Sequence, residues 1–183
     1  MTPYHLGWLG CIRYSDPSKP DEMAGANMAF HRKVLEKVPK FDVELGGGAL
    51  GNCEDTLFSR QVREAGYPLY AAYADVEHHF DPAKLLYAQW IKNANASGRS
   101  LAYLMYHWLH QDISNPFLKY CYFVAKLQVR LRSSPKIFPA GEGIPSWELS
   151  YRVDIAKCAQ FILERRRPRN YTLKGLNRLS GER

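Results

Sequence analysis

The residues best suited to chemistry lie in GGGALGNCEDTLFSRQVREAGY, positions 46 to 67. Two adjacent carboxylates, Glu54 and Asp55, follow four glycines, Gly46, Gly47, Gly48 and Gly51. A positioned carboxylate can take a proton from an attacking hydroxyl, a contribution typically worth about 10²–10⁴-fold in rate. Acids in the first turn of a helix also complement its free N–H groups and its dipole, with no chemistry involved. Glycines lower the cost of rearranging a loop. A loop here therefore suits closure over a bound ligand with exclusion of water, or serves as a plain connector. Further along, His78 supplies an imidazole able to hold a cation. Arg99 supplies a guanidinium able to grip two phosphate oxygens.

These side chains need elements to hold them. From Asn27, the pattern AFHRKVLEKV predicts a helix with Phe30, Val34 and Val38 on one face, ended by Pro39. The next helix is expected after Gly51, with Asn52 as its N-cap, and with Leu57, Phe58, Val62 and Ala65 on the buried side. Gly66 is the expected stop. YPLYAAYADVEHHF, 67 to 80, alternates as a strand does, with Ala74, Val76 and His78 on one face and Asp75, Glu77 and His79 on the other.

Asp81-Pro82 opens a further helix carrying Leu86, Trp90 and Ala94. NASGRS, 95 to 100, reads as a break before a second face of Leu101, Met105 and Trp108. Ser146 is expected to cap a helix bearing Trp147, Tyr151, Ile155, Ala159 and Ile162, with Glu148 and Arg152 paired at i,i+4. The order predicts an α/β protein. Residues 1–110 would form the sheet-containing part and residues 111–183 a helical extension with a basic tail.

The net charge of +7 is concentrated in RRRPRNYTLKGLNRLSGER, 165 to 183, where seven cations face the single acid Glu182. Such an end suits nucleic acid or anionic lipid, or is merely solvated. No nucleic-acid-reading motif accompanies it, so nucleic acid ranks lowest. PFLKYCYFVAKLQVRLR, 116 to 132, mixes aromatics with cations as interfacial helices do. The four cysteines, 11, 53, 121 and 158, are scattered without a CxxC pair, which points to a reducing compartment. MTPYHLGWLGCIRYSDP lacks the features of a signal peptide, and no run is long and apolar enough to span a membrane. The expected location is cytoplasmic, or peripheral at the inner face of the cell membrane.

Four segments in order carry a resemblance: GANMAFHRKVL, FDVELGGGALGNCEDTLFSRQVREAGY, YAAYADVEHH and NASGRS. Together they resemble the acceptor-side part of family 2 glycosyltransferases, inverting enzymes of the GT-A fold. The resemblance implies half of a GT-A-like sheet and transfer of a sugar from a nucleotide-diphosphate donor to a saccharide or lipid-linked acceptor. It casts Asp55 as general base, with Glu54 binding or orienting the acceptor. Gly25, Ala26, Asn27 and Gly48 would line the acceptor pocket, Arg99 would face the donor phosphates, and His78 would help hold a divalent cation, Mn²⁺ or Mg²⁺.

The family's nucleotide-binding half and its acidic DxD motif have no counterpart here, since no D-x-D triplet occurs. A truncated or split transferase is therefore expected, acting with a complementing polypeptide. The alternatives are a non-catalytic carbohydrate-binding remnant and a basic, peripheral membrane-associated protein.

Overall fold

A computed structural model describes residues 3–9, 20, 22–25, 27–38, 40–72, 77, 79, 81–134 and 143–179. Among the described residues, five α-helices run in chain order: α1 (Pro3–Trp8), α2 (Glu54–Glu64), α3 (Tyr87–Tyr103), α4 (Pro116–Ser133) and α5 (Ser146–Glu164). Single 3-10 turns occupy Arg32–Glu36 and Pro82–Leu85, and a π turn, Leu104–Trp108, extends α3. The chain divides into two compact units, each discontinuous in sequence. One comprises Met1–His79, His107–Leu109 and Arg169–Arg183, the other Phe80–Tyr106 and His110–Pro168.

The described residues contain no strand, so the expected α/β architecture with a GT-A-like half sheet is corrected to a helical one. Their β-type pairing includes an isolated bridge between Tyr171 and Arg178. Of the alternating segment, 67–72 follow α2 without a ladder, burying Leu69 while Tyr70 stays 73% exposed. Alternation reports which side of a chain is apolar, but a sheet also needs neighbouring strands to take its N–H and C=O groups. Positions 73–76 and 78 lie outside the described residues.

In the first unit, Val34, Val38, Phe58, Val62 and Leu69 form the core, with Met23, Ala65 and Tyr67 packed against it. Phe58 is wedged between Phe30 and Phe41, at centroid distances of 5.0 and 4.5 Å. The helix expected from Asn27 shrinks to the turn Arg32–Glu36, because His31 is extended and its ring takes the Lys33 N–H. Val34 and Val38 still point inward, whereas Phe30, expected on the same face, is 36% exposed. α2 matches expectation more closely: it opens on Glu54 and Asp55, and Gly66 follows it at φ 84°.

The second unit is built on α5, which packs along both α3 and α4. Asp81 caps the turn at Pro82 through Ala83 N–H, and α3 proper starts at Tyr87. α5 begins at Ser146, with Pro145 in the capping position. The Glu148–Arg152 pair forms as expected at 2.6 Å, with Glu148 almost fully buried. Tyr87 completes it, donating its hydroxyl to Glu148 and accepting from Arg152 Nη2 at 3.0 Å.

NASGRS is no break, since α3 runs through it without interruption. Gly98 lies where α3 meets α5. A Cβ added there would stand 2.8 Å from Ala156 Cβ and 2.9 Å from Lys157 N, and would overlap the Val153 carbonyl. Gly98→Ala should therefore destabilise the protein by about 1–3 kcal/mol through overpacking. That outweighs the roughly 1 kcal/mol that alanine gains in helix propensity. Urea unfolding followed by circular dichroism measures the difference, and an unchanged or raised midpoint would refute the close crossing.

Candidate functional site

The glycine run is a hydrogen-bonded turn. Leu50 N–H donates to Glu44 O at 3.2 Å and Gly51 N–H to Gly46 O at 2.9 Å. Gly46 and Gly48 take φ of 82° and 99°, a left-handed region that penalises any side chain. The turn delivers Cys53, itself at φ 69°, as the residue before α2. Asn52 was expected as the cap, but its Oδ1 accepts from the Cys53 thiol at 3.3 Å, and α2 has no side-chain cap of its own. The first turn is served from within, with Thr56 N–H donating to Asp55 Oδ1 at 2.8 Å.

A second segment docks along the same two helical turns. Gly25 N–H donates to Asp55 Oδ2 at 2.9 Å. Met23 N–H donates to Ser59 Oγ at 2.9 Å, and the Ser59 hydroxyl donates to Asp55 O at 2.7 Å. Glu22 accepts from the Thr56 hydroxyl at 2.9 Å and from Arg60 Nη2 at 3.3 Å. The backbone reaches Asp55 closely because position 25 is glycine: a Cβ there would lie 2.8 Å from Asp55 Oδ2.

Glu54 is held differently. Its Oε2 is buried and has no hydrogen-bond partner. It lies against Gly46, where a Cβ would stand 3.2 Å from Glu54 Cδ and 3.3 Å from Oε2. Each carboxylate thus has a glycine as one wall, Gly25 for Asp55 and Gly46 for Glu54. Asp55 spends one hydrogen bond per oxygen on the backbone and keeps a second lone pair on each.

The acidic surroundings register on Cys53. Burial, followed by the negative charges of Asp55, Glu22 and Glu54, pushes its thiol from 9.0 up to about 12, with Arg60 opposing. A thiol raised in the fold stabilises the protein fully below its ordinary value near 9 and loses that contribution as pH climbs toward 12. Its thiolate fraction at pH 8 falls on the order of a thousandfold below that of an ordinary cysteine. Maleimide labelling followed by peptide mapping should modify the exposed Cys121 and leave Cys53 untouched until denaturant is added. Labelling of both at comparable rates in the native protein would contradict the burial.

Of the expected site residues, the structure brings Gly25 against Asp55, while the Glu54 side chain lies against Gly46. Asn27 is exposed beside them in sequence, with its N–H on Ala24 O at 2.9 Å. Gly48 is exposed at the outer end of the glycine turn, with open space around it. Arg99 is half-buried on α3, in the second unit. Ala26 and His78 lie outside the described residues. No group of three or more His, Cys, Asp or Glu side chains among the described residues converges to hold a metal ion, so these residues alone do not fit a divalent-cation site.

Sequence reasoning missed Glu22, Arg60 and Cys53 as neighbours of the acids. It also missed a buried polar cluster in the same unit, just ahead of the glycine turn. There Asp42, whose side chain is fully buried, accepts from Arg178 Nη2 and from the Tyr171 hydroxyl, each at 2.6 Å, and from Glu44 N–H at 3.0 Å. Asn170 donates its side-chain amide to Glu44 at 2.9 Å and its backbone N–H to His107 Nδ1 at 2.9 Å. Trp108 meets the Tyr171 ring edge-on at 5.5 Å. Residues 169–179 are thus built into the first unit and are not a solvated tail. The only local signal was an aromatic and an asparagine, Tyr171 and Asn170, within a basic run.

Compared with protein-family models, with curated proteins and with solved structures, the chain matches none.

Proposed function

We propose that the chain works in glycosyl transfer, binding an acceptor hydroxyl at the start of α2. Asp55 takes the hydroxyl proton as the oxygen attacks the anomeric carbon of a nucleotide-diphosphate sugar. The new carbon–oxygen bond forms with inversion while the bond to the diphosphate breaks, and the diphosphate leaves with the electron pair. Glu54 orients the acceptor. A complementing polypeptide supplies the nucleotide pocket, and a saccharide or a lipid-linked sugar is the acceptor. The reading rests on the acids and on the order of the motifs, not on the fold.

One observation carries it. Glu54 Oε2, on the residue preceding Asp55, is buried and has no donor among the described residues. A buried acceptor left unpaired costs about 1–3 kcal/mol, and an acceptor hydroxyl would remove that cost. Gly25 and Gly46 let the backbone pack directly against the two carboxylates, so a side chain at either position would press on an acid. Asp55 retains lone pairs able to receive a proton.

The test supplies the purified chain with labelled nucleotide-diphosphate sugars and with saccharide or polyprenyl-phosphate-linked acceptors. Cell extract lacking the chain provides any complementing polypeptide. Label should enter the acceptor only when the chain is added. Transfer that is equal with and without it would overturn the proposal.

A further inference from the structure

The outer face of α4 has no partner among the described residues and has a distinct chemistry. α4 buries only Pro116 and Leu127. Leu118, Tyr122, Ala125 and Val129 recur at i, i+4, i+7 and i+11, which places them along one line of the helix surface. All four are exposed, Leu118 and Val129 by 64% and 66%. Lys119, Lys126 and Arg130 run beside this line at the same spacing and are exposed too. Lys126 lies over the Tyr122 ring at 5.6 Å, and Arg130 over Trp147 of α5 at 4.7 Å. From Ile113 to Gly141 the sequence contains no acid.

We infer that this face of α4 docks on an anionic lipid bilayer. The apolar line spans about 16 Å at 1.5 Å per residue, enough to enter the headgroup boundary lengthwise. No helix among the described residues is long and apolar enough to cross a membrane, so α4 lies in the surface plane. The cations border the apolar line and are absent from it, an arrangement that lets long basic side chains reach lipid phosphates while their stems cover hydrocarbon. At the N-terminal end, Phe117, Leu118 and Arg165 line an open pocket of about 430 Å³, which adds an apolar recess beside a cation. A fluid anionic surface fits a convex, acid-free helix face without shape matching. This inference is independent of the transfer chemistry proposed at α2.

Flotation of the full chain with extruded vesicles tests it. The chain should float with phosphatidylcholine vesicles containing about 30 mol% phosphatidylserine and remain behind with pure phosphatidylcholine. About 0.5 M salt should release it, since screening shortens the reach of the charges. Each cation near an anionic surface contributes roughly fivefold to partitioning, so Lys119→Glu combined with Lys126→Glu should lower binding by at least about tenfold. Val129→Asp should lower it as well, and circular dichroism should match wild type, because all three positions are exposed. Equal binding to both vesicle types, or flotation indifferent to these substitutions, would overturn the inference. Capture on immobilised polyglutamate without flotation would assign the face to an acidic protein and overturn it equally.

Discussion

On the proposed mechanism, Asp55→Asn is expected to lower sugar transfer by about 10²–10⁴-fold, the range for loss of a general base. The geometry adds a structural cost that the chemistry alone would not suggest. Both Asp55 oxygens accept backbone N–H groups, Oδ2 from Gly25 and Oδ1 from Thr56. Asparagine has one acceptor oxygen, so its amide NH₂ must face one of those donors. One hydrogen bond to a charged acceptor is lost, worth about 1.5–3 kcal/mol. The variant should therefore be both slow and less stable, and the two effects need separating. Ser59→Ala provides the comparison: it frees Met23 N–H and loosens the same docked segment while leaving both carboxylates in place. It should lose comparable stability and less than tenfold in turnover. If Asp55→Asn and Ser59→Ala lose turnover in parallel, Asp55 is a structural clasp and not a base.

Asp42→Ala is expected to cost about 3–5 kcal/mol, because it removes one partner from a buried ion pair and strands the other. The Asp42 side chain is fully buried and the Arg178 side chain is 25% exposed, so water cannot easily replace the lost carboxylate. Glu44, 3.7 Å from Arg178, compensates in part. Tyr171 also loses its acceptor. Burial first, and the hydrogen bond to Asp42 second, push the Tyr171 hydroxyl above its ordinary value, so it stays protonated and its contribution is lost only as pH rises well beyond 10.

At roughly 2–4 °C per kcal/mol for a chain of this size, the melting temperature should drop by about 6–20 °C. Removing both charges, as Asp42→Ala with Arg178→Met, should cost clearly less than the two single changes summed, since no isolated charge then remains buried. An additive double variant, or a single variant within 1 kcal/mol of wild type, would show that the pair does not hold residues 169–179 in place. The cluster also bears on the candidate site, because Glu44 O anchors the glycine turn through Leu50. Loosening Asp42 should therefore disturb Gly46 and, through it, Glu54.

What could be read directly from the chain was whatever neighbouring residues settle among themselves. α2 opens at Glu54 and Asp55 and stops at Gly66 because first-turn acids and a positive-φ glycine act over a single turn. Glu148 and Arg152 pair because four residues of helix bring their side chains together wherever that helix goes. The apolar spacing of Val34 and Val38 found the core even though the element carrying them is a short turn.

Tertiary structure alone decided the rest, since it depends on partners far away in sequence. Alternation at 67–72 needed adjacent strands that the described fold does not offer. Gly98 looked like a helix breaker, yet it is the contact that lets α3 pass close to α5. The basic end looked like a free tail until Arg178 found Asp42, 136 positions earlier. Asp55 has its place because Gly25, 30 positions before it, lends a backbone N–H. Such long-range pairs leave no periodic trace, because chain closure and desolvation, and not local geometry, determine which of them form.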